Sequence, residues 1–240
     1  MFLRLVTLEH WLRCTVFRRI RRSARVYIAL AANTLDESEP VAWEFAMDKN
    51  ATNWNYEVWF GPSSDWVRYF GEYTFLVDCI FENAKSATVS VISRPQLFLI
   101  RHAIELGYKA NIIELEKLSG LSSQLNFKGA KAHSLQGLHQ DFDRHFQEVA
   151  KKYDLTQEVT LEYDKLYGVL SKLKNVFQEL DELSYALRYP VKNDGKTPSI
   201  EKTIKLNMME VYRLYETAKI FLKYTTNVVM EFAPENYKEA

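Results

Sequence analysis

Arg101, His102, Glu105 and Lys109 interrupt a stretch that otherwise runs apolar from Pro95 almost to Leu115. On a helix, His102, Glu105 and Lys109 fall along one stripe, and Arg101 lies one turn before Glu105. Proline at position 95 suits a first helical turn, because the N–H it lacks would have no intrahelical partner there. A helix apolar on most sides is a core helix, and ionisable groups carried into a core must pair or change protonation. Glu105 is therefore expected to be buried. It should accept bonds from Lys109 or Arg101, and from a residue of the Arg188-Tyr189-Pro190 loop, which makes Arg101, Glu105, Lys109 and Tyr189 one polar cluster. Such a cluster has two uses: it can fix the register of a bundle or dimer seam, or it can serve a ligand or a reaction.

Other chemistries are poorly supplied. The sequence has no Gly-rich phosphate loop, no Gly-x-Ser-x-Gly elbow and no Cys-x-x-Cys pair. His133 and His139 are wrongly spaced for a metal pair on one helix face, so neither a metal nor a cofactor is expected. Cys14 and Cys79 lie far apart, which suits small buried hydrophobes in a reducing, cytoplasmic compartment. His133, near a helix start, has a plain structural reading as a cap, and Arg188 has one as a cation at a helix C-terminus.

These residues must be positioned by the 240-residue chain, whose 47% hydrophobic content includes 14% aromatics and supports a dense core. Lys plus Arg and Asp plus Glu each number 31, so a polyanion would have to be met by a local surface. Such a surface is suggested near the start, where Arg18, Arg19, Arg21, Arg22 and Arg25 interleave with apolar residues at helical spacing. A membrane-surface helix, a polyanion-binding arm and an extension from an upstream start codon are alternative readings of it. No stretch reaches the roughly 20 apolar residues that span a bilayer.

Residues 1–62 read as a basic extension followed by an irregular segment, and 63–240 as an all-α domain. Helices are expected from Ser64 to about Asn83, Pro95 to Leu118, His133 to Val149, Thr156 to Leu187, and Pro198 to Val229. Short connections between long helices predict an antiparallel bundle.

Three stretches carry a family resemblance: Leu97–Ala110, Ala132–Leu138 and Leu187–Gly195. In this order and at these intervals they resemble the HEPN superfamily, over about residues 64–230. The resemblance implies a four-helix core with one additional helix, homodimerisation along helix faces, and association with RNA or nucleotides. It also implies a setting in bacterial stress, toxin–antitoxin or antiviral (phage) defence systems. Active HEPN proteins cut RNA without metal through Arg-x(4–6)-His, where histidine moves the proton and arginine meets the charge building on phosphate. This sequence departs from that motif: no histidine follows Arg188, and within residues 64–230 none lies four to six residues after any arginine. Two expectations follow. The first is a non-catalytic or regulatory module that dimerises and associates with RNA or a partner protein. The second is a divergent ribonuclease in which Arg188 meets His102 or His133 across the fold.

Overall fold

A computed structural model describes residues 64–83, 89–124 and 129–233, all within the compact unit 63–240. The basic cluster Arg18, Arg19, Arg21, Arg22 and Arg25 lies outside the described residues. Within them the architecture is an all-α bundle of five helices: α1 Trp66–Asn83, α2 Val89–Ser119, α3 Leu135–Lys152, α4 Gln157–Asp181 and α5 Met208–Met230. A 3-10 turn, Ala130–His133, leads into α3. Helix α2 packs against α1, α3 and α5, and α4 closes the bundle against α3 and α5. No described helix is long and apolar enough to cross a membrane.

The central place of α2 follows from its composition. Every residue from Ala103 to Ile112 is buried, so this stretch has no solvent face. Gly107 permits the close approach: a Cβ there would stand 2.9 Å from Leu222 Cδ1 on α5 and 3.0 Å from a Phe70 ring carbon on α1. Asn111 fastens the same crossing by donating to the Leu222 carbonyl at 2.6 Å. Between α3, α4 and α5, Phe146 stacks on Tyr163, and Phe142 meets Phe221 edge-on with ring centroids 5.7 Å apart.

Three helix limits differ from the expected ones by more than a turn, and two of them have a visible local cause. Helix α2 begins at Val89, so Pro95 lies inside it and not in its first turn. Helix α4 stops at Asp181, not Leu187. The Asp181 carboxylate takes the N–H groups of Tyr185, Ala186 and Leu187, and Ser184 adopts a left-handed φ of 60°. Those bonds replace the helical ladder with a tight turn. Helix α5 begins at Met208, not Pro198. Val191 and Pro198 form an antiparallel bridge, closed by Lys192 N–H to Thr197 O at 2.8 Å and Ser199 N–H to Pro190 O at 3.0 Å. Gly195, at φ 68°, makes the reversal. Asn207 then caps α5, accepting from the N–H groups of Met209 and Glu210.

Candidate functional site

Helix α2 presents Arg101, Glu105 and Lys109 at successive turns, and all three are buried. Glu105 is the hub. Its Oε2 lies 3.0 Å from Arg101 Nη1, and its Oε1 lies 2.7 Å from Lys109 Nζ and 2.8 Å from His133 Nδ1. Burial pushes the Glu105 carboxyl up, yet Lys109, Arg101 and His133 together outweigh it and hold the pKa below the usual range. Burial lowers the Arg101 pKa against the pull of Glu105 and Asp181.

Arg101 does more than pair. Its Nε donates to Asp181 O at 2.9 Å, and its Nη2 donates to His133 O at 2.6 Å and Glu182 O at 3.2 Å. The guanidinium therefore satisfies carbonyls at the end of α4 and at the end of the 3-10 turn while neutralising Glu105. The cation reaching the end of α4 itself thus comes from α2. Arg188, the residue the sequence offers for that position, bonds from Nε to Ser184 O in the following turn, at 2.6 Å.

His133 also departs from its expected place. Ser134, not His133, caps α3, its hydroxyl accepting from Gly137 N–H. The His133 ring instead bonds Glu105, and its side chain is 43% exposed. In the neutral ring, a proton on Nδ1 facing the carboxylate would leave Nε2 as an acceptor.

His102 and Arg188 meet on neither side of this ion cluster but on Phe98. The His102 ring stacks on Phe98 with centroids 5.8 Å apart and takes the edge of Tyr73 at 4.5 Å. The Arg188 guanidinium carbon lies 5.8 Å from the Phe98 centroid and 5.5 Å from that of Tyr189. Burial lowers the His102 pKa; Glu105 opposes this, and Lys109, Arg101 and His133 add to it. Tyr189 stands outside the ion cluster: it is 48% exposed and packs on Tyr185 and Arg188. Among the described residues, nothing in the 188–190 loop bonds Glu105, so that part of the expected network is replaced by His133.

Two histidines that the sequence did not single out for structure are buried and fully bonded. His139 bonds Tyr108 Oη through Nδ1 at 2.7 Å and Ser171 Oγ through Nε2 at 2.8 Å, and it stacks on Tyr167. His145 bonds Ser119 Oγ at 2.8 Å. Burial, with Lys174 nearby, lowers the His139 pKa from 6.5 to about 4. A histidine pKa lower in the folded chain stabilises the fold fully above 6.5, and that stability is lost as the pH falls toward 4. Urea titrations at pH 7 and pH 5 should therefore differ by about 2 kcal/mol from this residue. In His139→Gln that difference should shrink by the same amount. An unchanged pH dependence in the variant would show that His139 is free to take a proton.

Among the described residues no group of three or more His, Cys, Asp or Glu side chains could hold a metal ion. No protein-family model matches the chain, no curated protein matches it, and no solved structure matches it.

Proposed function

We propose that the chain is a HEPN-like helical module that dimerises and associates with RNA without cutting it, acting in the cytoplasm in a bacterial stress or phage-defence setting. The setting, the dimer and the preference for RNA come from the resemblance. The observation that carries the binding role is the Arg188 guanidinium lying over Phe98 and Tyr189, with His102 on the same Phe98 ring. Among the described residues only the Arg188 Nε is held, by Ser184 O, so its terminal nitrogens can meet a phosphate while Tyr189 offers a partly exposed ring to a base. The non-catalytic part is supported by Glu105, whose two oxygens are shared among three cationic or imidazole partners inside the bundle.

Fluorescence anisotropy with a single-stranded RNA oligonucleotide tests the binding. Arg188→Ala should weaken it roughly tenfold, about 1.4 kcal/mol, and should flatten its salt dependence. Equal affinity of wild type and variant would remove this surface from the account.

A second reading has its own observation. Glu105 orients His133 through Nδ1, and the ring is partly exposed, which is how a general base is held in place. In a metal-independent ribonuclease His133 would take the proton of the attacking 2′-hydroxyl and Arg188 would meet the phosphate charge. The structure shows no bond between these two residues among the described ones, so this reading stands second.

A further inference from the structure

A groove of about 710 Å³ lies between the first turns of α2, the end of α4 and the segment leading into α5. Its floor is apolar: Leu97, Leu180 and Leu187 are each buried. One wall carries Ile200, Ile204 and Leu206, from the stretch that the Val191–Pro198 bridge keeps out of α5. The charges on its lining have one sign. Arg94 and Lys202 both line it, and among the described residues no acidic one does. Both cations are exposed, and among the described residues neither forms an ion pair or donates a hydrogen bond, whereas neighbouring Glu201 is already paired with Lys192. The serines Ser90 and Ser93 add hydroxyls beside Arg94.

A trough with an apolar floor and two exposed cations, of which Lys202 also acts on Glu201 through space, is complementary to a molecule that is apolar along its body and negative at its head. The volume falls within the ~300–1,000 Å³ of small-molecule sites. A polynucleotide would gain little from the leucine floor, and a cationic or neutral amphiphile would leave the two charges unanswered. We propose that this groove binds a medium-chain acyl carboxylate, its chain over Leu97, Leu180 and Leu187 and its carboxylate held by Arg94 and Lys202. The site is separate from the RNA reading, and its test has a separate readout.

Isothermal titration of the full chain with decanoate, below its micellar concentration, should show one saturable site. Decyltrimethylammonium, with the same chain and the opposite charge, should bind at least tenfold more weakly. Arg94→Gln/Lys202→Gln, at exposed positions, should weaken decanoate at least tenfold and leave the melting temperature near wild type. Ile204→Trp, which narrows the groove, should abolish binding, whereas Arg188→Ala should leave it unchanged. No saturable binding, equal binding of the two amphiphiles, or full affinity in the doubly neutralised variant would each overturn the proposal.

Discussion

Replacing Arg101 by leucine should lower the stability of the bundle by about 3–5 kcal/mol, because it removes one half of a fully buried ion pair. Arg101 has no exposed surface, and its loss leaves Glu105 Oε2 without its guanidinium. It also strips a donor from the carbonyls of Asp181, Glu182 and His133. Those carbonyls belong to the end of α4 and to the 3-10 turn before α3, segments that lie far from Arg101 in sequence. The loss should therefore be larger there than elsewhere. Hydrogen exchange should show amides around 130–138 and 183–189 opening at lower free energy in Arg101→Leu, while those in the middle of α5 keep their order of protection. A variant that melts like wild type, or that loosens evenly, would mean that Arg101 does not tie these segments together.

The second large effect concerns Glu105. Glu105→Ala leaves Arg101 and Lys109 buried without the carboxylate they both contact, and the expected cost is again about 3–5 kcal/mol. The double variant Glu105→Leu/Lys109→Met should cost clearly less than the sum of the two single changes, since each partner's desolvation disappears with it. Glu105 has a pKa held below the usual carboxylate value, so it stabilises the fold above its unfolded pKa, near 4.5. That contribution is lost as the pH falls through the lower folded value. The acid limb of the stability curve should accordingly be shallower in Glu105→Gln than in wild type. Thermal melts of the single and double variants, together with urea midpoints across the acid range, measure both effects. Additive costs would show that Glu105 and Lys109 are not coupled.

The i, i+4 steps from Arg101 to Glu105 to Lys109 were legible because helical geometry alone brings them together, and the apolar residues around them announce burial. The same holds for α1, whose apolar spacing begins just after Asp65 and runs to Asn83, as expected. What was not legible came through space. His133 reaches Glu105 from 28 residues away and Arg101 reaches Asp181 from 80, and neither pairing leaves a periodic trace. The end of α4 was hidden for a different reason: Leu183 and Leu187 continue an apolar pattern, while Asp181 captures the N–H groups that a longer helix would need. The start of α5 was masked by Pro198-Ser199-Ile200-Glu201, a good helix opening on its own, whose proline is instead committed to a bridge with Val191. The bonds of His139 and His145 to the hydroxyls of Tyr108, Ser171 and Ser119 likewise join residues far apart in sequence and left no periodic trace.

Arg101, Glu105 and Lys109 meet as their spacing implies, whereas the other expected site residues are placed differently. Arg188 and His102 both pack on the Phe98 ring, His133 joins Glu105, and the exposed Tyr189 ring packs on Tyr185. That arrangement separates a buried network inside the bundle from a surface of cation and aromatic rings, the surface that our proposal assigns to RNA.

One gel measures that separation directly. Labelled single-stranded RNA is incubated with the full chain in EDTA, and one half of each sample is run native and the other denaturing. The account predicts a retarded band on the native gel and full-length RNA on the denaturing gel, with the retardation weakened in Arg188→Ala and retained in a folded His133→Gln. RNA cut by the wild type and left whole by both variants would contradict it, and would make His133 and Arg188 the parts of a nuclease.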